Sequence, residues 1–435
     1  MTATATAGPP PASTTTPDPG TTTAQPSWTS APAGGNGGAT DVGVTATTLT
    51  VATVTDKGGA APGVTADAAL AVRAYVAYFT EQFGTVYGRR LALLELDSAM
   101  DAGGTRSATQ RACTEAFAGV GSWSLFEQAA APVLADCRSA GGRFPDLRAV
   151  AAAPQLRALP NVYPLEVADG GALVSLRRFG WATDAFPDAV RRAAHVHPDD
   201  QQSTSAARHE MTAAEEVFGY TWVADVAVPR TELNYTPVAM RLKSAGAQYV
   251  SFTGTADQAA ALAKALRSVG WQPQVLSPGA DAYSERFLSR AGEALSGGNT
   301  FVPVTSAVTE ERSDNDELQR YAHWLDRVEP GARPTPAGQR AWGAASLFVQ
   351  QAITVGPRPT RRAFLALMPG VSAFSAHGLY APEDVGGRRP GDCVTVLRIV
   401  DRRFARFTPR EGGYRCGADG LWDVAAGRRV PAARP

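Results

Sequence analysis

The stretch Tyr235-Thr236-Pro237-Val238-Ala239-Met240-Arg241-Leu242-Lys243-Ser244-Ala245-Gly246-Ala247-Gln248-Tyr249-Val250-Ser251-Phe252-Thr253-Gly254-Thr255 decides the fold. Its pattern predicts a helix from about Pro237 to Ala245 and a strand from Gln248 to Thr253. A further helix follows, carrying Leu262, Leu266 and Val269 along one side. The same alternation runs toward both ends. Upstream lie a strand at Tyr220 to Val228, a helical stripe of Ala207, Met211, Ala214 and Phe218, and a short strand from Ala193 to His197. Leu173, Leu176 and Phe179 read as a helix after Pro164.

Nearer the start, Leu49 to Val54 is a β-rich run bounded by turn chemistry at Asp56-Lys57-Gly58-Gly59. Thr65 is the expected cap of a helix with Val72, Val76, Phe79 and Phe83 on one face. Leu91 to Leu96 is a buried-strand pattern. A helix bearing Cys113 and Phe117 and a strand-like stretch reaching Gly121-Ser122-Trp123-Ser124 come next. A helix with Val133, Leu134 and Cys137 and a strand from Leu147 to Ala151 complete this half. Downstream, Leu318, Tyr321, Leu325 and Val328 mark one helix and Trp342, Val349 and Ile353 another. Val394 to Phe407 reads as a hairpin around Asp401-Arg402-Arg403. Strand-helix alternation with short loops indicates mostly parallel sheets covered by helices on both faces, here as two consecutive doubly wound halves.

Bulk composition agrees with two domains: 435 residues exceed what one core usually serves. The 41 basic residues balance the 41 acidic ones, which argues against nucleic acid or a polybasic membrane contact as partner. Only three of the basic residues are lysine (Lys57, Lys243, Lys264), and alanine is abundant, a codon signature of a high-GC bacterium. No run approaches the roughly 20 apolar residues of a membrane span. Residues 1 to about 40 are almost entirely Thr, Ala, Pro, Ser and Gly, and such a segment is expected to be disordered. Two readings follow: the tether of a surface protein whose signal and lipid-bearing cysteine lie upstream of this start, or a floppy terminus.

Four cysteines permit three connectivities, of which the sequence-local one is expected, Cys113 with Cys137 and Cys393 with Cys416. Disulfides imply an oxidising compartment; four free thiols in a cytosolic protein would be the alternative. His195-Val196-His197 places two imidazoles on one strand face, a spacing compatible with zinc, yet the strand end is expected to lead into a solvated loop and no metal is assigned. Asp101-Ala102-Gly103-Gly104-Thr105 opens a helix but lacks the Walker lysine and the dinucleotide fingerprint. No Gly-x-Ser-x-Gly elbow occurs. Glu215-Glu216 reads as a solvated helix face. No catalytic residue and no cofactor are expected.

The order and spacing of these segments resemble the leucine/isoleucine/valine-binding family of type I periplasmic binding proteins. The resemblance is carried by Tyr235-Thr236-Pro237 through Arg241 to Ala247, Tyr249-Val250, Gly254 and Gly270-Trp271-Gln272-Pro273. Val42-Gly43-Val44-Thr45 before Leu49-Thr50-Val51, Ala291-Gly292-Glu293-Ala294, Leu318 to Trp324 and Ala341-Trp342-Gly343-Ala344 add to it, over residues 42 to 416. The first cysteine pair falls where family members carry a disulfide. The resemblance implies an α/β fold of two doubly wound parallel-sheet lobes joined by a multi-strand hinge. Lobe I would hold 42–163 and 303–378, and lobe II 164–302 and 379–420. Residues 1–41 would be the tether and 421–435 a C-terminal tail.

The ligand would bind in the crevice between lobes, beyond the carboxyl ends of the strands, and closure would bury it. Loops that enter helix N-termini offer N–H groups for a carboxylate, so Ser122, Trp123 and Ser124 are candidate contacts. The resemblance places further contacts at Ala152 and Ala153, in a loop that has no hydroxyl here, and at Thr253, Gly254 and Thr255. The family's acidic ammonium partner aligns with Ala280, beside Asp281, a departure that counts against branched-chain amino acids. Tyr283 is a candidate aromatic wall. The implied function is capture of a small polar solute, amino-acid or amide-like, for the permease subunits of an ABC importer. The implied protein is an extracellular monomer, lipid-anchored at the cell surface. A sensing domain of the same fold and an unrecognised α/β enzyme are the alternatives.

Overall fold

The computed structural model describes residues 26–59, 63–166 and 172–432. Its first half runs β1 (Thr48–Thr55), α1 (Ala66–Gln82), β2 (Arg90–Asp97), α2 (Ala102–Glu115), β3 (Ala118–Val120) and α3 (Ala131–Asp136). It continues through a small hairpin of β4 (Arg138–Ser139) and β5 (Gly142–Arg143) to β6 (Asp146–Arg148), α4 (Pro154–Arg157) and β7 (Val162–Pro164). Next come β8 (Leu173–Ser175), α5 (Gly180–Ala185), α6 (Pro187–Val190), β9 (Ala193–Pro198), α7 (Gln201–Phe218) and β10 (Trp222–Val228). Then follow α8 (Thr236–Ala245), β11 (Tyr249–Phe252), α9 (Ala256–Ser268), β12 (Val275–Ser277), α10 (Glu285–Ala291) and β13 (Phe301–Val304). The chain ends with α11 (Asp316–Val328), α12 (Pro336–Val355), α13 (Arg361–Leu367), β14 (Thr395–Val400), β15 (Arg403–Thr408), β16 (Leu421–Asp423) and β17 (Arg428–Val430).

Two parallel sheets carry the architecture. In lobe I the order is β2-β1-β3-β6-β7, and in lobe II it is β10-β9-β11-β12. One face of the first sheet buries Val51, Phe117, Val120 and Leu147 against Val72 and Phe79 of α1 and Trp342 and Phe348 of α12. The other buries Ala52, Val54 and Leu96 against Ala112 of α2 and Leu134 of α3. Helices brought in from late in the chain therefore complete an early sheet. In lobe II, Val196, Val226, Val250 and Leu276 pack with Leu242, Leu262 and Leu266, and with Val302, Leu397 and Phe404 of the antiparallel set β13-β14-β15.

Local chemistry sets the boundaries of the deciding stretch. Pro237 sits in the first turn of α8, where its missing N–H costs nothing, and Gly246 ends that helix at φ 63°, a left-handed conformation suited to glycine. Thr255 and Gln258 exchange hydrogen bonds as a capping box at the start of α9. Thr65 does stand at the N-cap position of α1, but its hydroxyl accepts from the Asp56 N–H at 2.7 Å rather than from the helix.

Several expectations are corrected. Leu173 to Phe179 does not start as a helix: Leu173, Val174 and Ser175 form β8, antiparallel to β16. Val174 packs on Trp422 from the far end of the chain, so its apolar spacing serves a long-range pair. For the same reason residues 421–430 are not a tail, since Leu421 and Trp422 are buried. Residues 26–41, expected within the tether, pack on lobe I: Trp28 lies against Phe79 and Phe83, and the Asn36 amide donates to the Ala46 and Tyr87 carbonyls. The remainder of that expectation, residues 1–25, lies outside the described residues. The strand end at His195 and His197 is not solvated; β9 is central and both rings are buried.

Cys113 is bonded to Cys137 and Cys393 to Cys416, with Cα separations of 5.8 and 4.1 Å. The first bond ties α2 to the end of α3. No helix among the described residues is long and apolar enough to cross a membrane.

Among the described residues three segments link the two sheet-bearing halves: after β7, after β13 and before β14. The second and third passages run antiparallel, with Ala307 N–H donating to the Leu379 carbonyl and Ala381 N–H to the Thr305 carbonyl, each at 2.7 Å. The first is held to lobe I by Leu165 N–H on the Arg148 carbonyl at 2.8 Å.

Candidate functional site

In open α/β sheets the carboxyl ends of the strands, where the strand order reverses, form a natural crevice. In lobe I that edge is built by the loops after β1, β3 and β6. Asp56 follows β1 directly and is fully buried. Its carboxylate accepts from the Leu125 N–H at 2.7 Å, from the Ser124 hydroxyl at 3.1 Å and from the Ser98 hydroxyl. Ser122 is buried too, and its Oγ accepts from the Val54 N–H at 3.1 Å. Trp123 is half-buried against the lobe I core. Beside them Glu127 is 4% exposed and accepts from the Ala153 N–H at 2.6 Å and from the Ala152 N–H. Arg148 stands 3.6 Å from Glu127 and 3.1 Å from Asp146. Burial raises the Glu127 carboxyl above its ordinary range, against the pull of Arg148 and the two N–H groups.

The lobe II edge is supplied by the loops after β11 and β12. Thr253, Gly254 and Thr255 are half-buried between β11 and α9. A side chain at 254 would sit 2.7 Å from the Phe252 ring and 2.9 Å from the Gln258 amide oxygen, so it would have to displace one or both. Asp281, after β12, is open to solvent along its side chain yet crowded by protein around it. Loss of bulk hydration, followed by Glu166 of the first crossing and Asp67 of α1, pushes its carboxyl up to about 6. Asp67 in turn accepts from the Thr335 hydroxyl at the start of α12, and burial raises it. Carboxylates from lobe I, a crossing and lobe II thus feel one another. Tyr283 is not an open wall: it is 5% exposed, its ring packs edge-on against Phe404 at 4.8 Å, and its hydroxyl bonds Thr309 and Glu310.

One guanidinium joins all three crossings. Arg340 of α12, fully buried, donates to the Leu165 carbonyl at 3.0 Å, to Thr305 Oγ1 at 2.8 Å and to Glu383 Oε1 at 3.1 Å. It lies 3.4 Å from Glu166 and stacks 3.9 Å over the Tyr380 ring. Arg177 bridges Glu166 at 3.8 Å and Glu383 at 3.6 Å.

The structure therefore gathers Ser122, Trp123, Ser124, Ala152 and Ala153 on one edge and Thr253, Gly254, Thr255 and Asp281 on the other. Asp56, Glu127, Asp67 and the Arg340 cluster escaped the sequence reading. Asp56 was legible only as turn chemistry after a strand. A lone arginine inside the apolar run of α12 is the signal that could have found Arg340. His195 and His197 stack at 5.5 Å, and the second bonds Asp225 at 2.9 Å. Among the described residues no group of three or more His, Cys, Asp or Glu is placed to hold a metal ion.

A family model described as periplasmic binding protein matches residues 48–403. Among solved structures, a fatty acid ABC transporter substrate-binding protein from Thermomonospora curvata is similar with TM-score 0.71 at 16% identity, covering 93% of this chain and 100% of that chain. The leucine binding protein LivK from Thermotoga maritima gives 0.66 at 15%, covering 83% and 98%. LivJ from Streptococcus pneumoniae, a branched-chain amino acid transporter substrate binding protein in complex with isoleucine, gives 0.67 at 12%, covering 82% and 98%. At these identities the likeness concerns the fold alone. No curated protein matches the chain significantly.

Proposed function

The chain belongs to the periplasmic binding protein family, with the type I fold, and from that premise we propose that it is the solute-binding component of an ABC importer. It holds a small polar solute, amide- or amino-acid-like, between the two carboxyl edges and performs no chemistry on it. The family is extracytoplasmic, and two disulfides suit that compartment. In this reading the protein acts as a monomer, delivers its solute to permease subunits, and is held at the membrane through a lipidated N-terminal tether.

The observation that carries the reading is the three-stranded passage between lobes gathered at Arg340. Such a junction lets two rigid halves swing about a few residues, the geometry of hinge closure. In the closed state Thr253 would bring a hydroxyl to the solute from lobe II, the Gly254 and Thr255 backbone would approach it closely, and Asp281 would accept from its N–H or ammonium group. From lobe I the Trp123 ring and the Ser122 to Ser124 loop would cover it.

Native mass spectrometry of the purified protein, followed by a thermal-shift panel of amino acids, amides, urea, purines and small aromatic acids, tests this. A true solute at a hundred times its Kd adds roughly 2.7 kcal/mol of stability. A broad panel without a single shift would remove the support for a receptor.

A further inference from the structure

The donors on the lobe I edge are already occupied, and by the protein's own carboxylates. Backbone N–H groups in loops at strand ends and helix starts are the places where proteins receive anions. Here Leu125 N–H and the Ser124 and Ser98 hydroxyls converge on Asp56, and Ala152 and Ala153 N–H converge on Glu127. The Glu127 arrangement is that of a small carboxylate held by two successive N–H groups, with Arg148 behind it. Ala152 is itself exposed, and Ala151 N–H meets the Glu166 carbonyl of the first crossing at 3.4 Å, which sets this loop beside that crossing. A buried carboxylate is costly unless donors hold it, so Asp56 is committed to one N–H and two hydroxyls and Glu127 to the Ala152 and Ala153 N–H groups, although Glu127 Oε2 has no hydrogen-bond partner among the described residues and has Arg148 beside it.

We propose that Glu127 and Asp56 are specificity-determining residues that stand where the carboxylate of a solute would bind, so that the cleft takes a solute with no carboxylate to offer lobe I. The inference rests on the crevice being the solute site, and it narrows the solute to amides, amines or amidines rather than free amino acids. Charge on the facing groups agrees: Asp67, Glu166 and Asp281 repel an anion and accept from N–H or ammonium groups.

Two measurements test it. Wild-type protein is melted with matched sets of an amino acid, its amide and the amine lacking the carboxyl group: leucine, leucinamide and isopentylamine; arginine, argininamide and agmatine. The amide or amine is expected to raise the melting temperature and the acid to leave it unchanged. An acid that shifts melting as far as its amide overturns the proposal. In the second measurement Glu127→Ala frees the Ala152 and Ala153 N–H groups. Acetate at about 100 mM and constant ionic strength is then expected to raise the melting temperature of the variant by roughly 1–3 °C and to leave the wild type unmoved.

A folded Glu127→Ala that ignores acetate overturns the proposal. If that variant does not fold, the matched sets on wild type decide alone. An acetate-responsive variant together with silence across every matched set supports the role of Glu127 and counts against the crevice as the solute site.

Discussion

Arg340 and Glu383 form a buried ion pair, 3.1 Å from guanidinium to carboxylate, between a lobe I helix and the third crossing. Both side chains are withdrawn from water, and burial holds the Glu383 carboxyl above its ordinary range despite Arg340 and Arg177. Because the same guanidinium binds the other two crossings, its removal strands acceptors from all three. Arg340→Met is expected to cost about 3–5 kcal/mol, the usual penalty for leaving one member of a buried pair uncompensated. Urea denaturation followed by tryptophan fluorescence measures it. An unchanged midpoint would mean the cluster does not hold the junction.

His195 gives the fold a pH dependence. Burial above all, then Arg178 and His197, depresses its pKa well below 6.5, and neither ring nitrogen finds a hydrogen-bond partner. The folded state keeps the ring neutral while the unfolded chain takes up a proton below about 6.5, so stability is full above that pH and falls as the pH drops through it. His195→Leu should flatten the profile between pH 7.5 and 5, read as melting temperature against pH. A profile equally steep in the variant would place the titration elsewhere.

Asp281 behaves oppositely. Its pKa, raised to about 6, means that the empty protein gains stability as the carboxyl is protonated, a gain complete below the unfolded value near 3.8 and lost as pH rises through 6. Asp281→Asn should therefore melt slightly higher than wild type at pH 7.5 and no higher at pH 4. The same variant should bind the solute more weakly at pH 7.5. A variant with wild-type affinity would remove Asp281 from the site.

The Cys113–Cys137 bond closes a loop of 24 residues. Replacing both by serine should lower stability by about 3 kcal/mol, the loop-entropy value for that length. Intact mass before and after alkylation should show no free thiol in protein from an oxidising host; four labelled thiols would contradict the compartment.

How far the sequence speaks depends on the range of the interaction. The helix-strand-helix run from Tyr235 to Gly270 is legible because its boundaries are set by neighbours: Gly246 ends α8, and Thr255 and Gln258 open α9 within three residues of each other. The hairpin β14-β15 is legible for the same reason. β8 is not, since Val174 becomes a strand residue only by pairing with Trp422. In the site, hydroxyls and loop glycines mark the two edges, but Asp56 receives the Leu125 N–H from 69 residues away, and Glu127 meets Ala153 across 26. No local pattern announces that those donors are spent. Trp28 and Asn36 likewise gave no periodic signal, although they pin the segment before β1 onto lobe I.

The claim beneath all of this is that two sheet-bearing halves swing together around one guest. Small-angle X-ray scattering with and without the solute giving the largest thermal shift measures that motion. A smaller radius of gyration is expected when the solute is bound. An identical scattering curve at saturating solute, with binding shown independently, would contradict it.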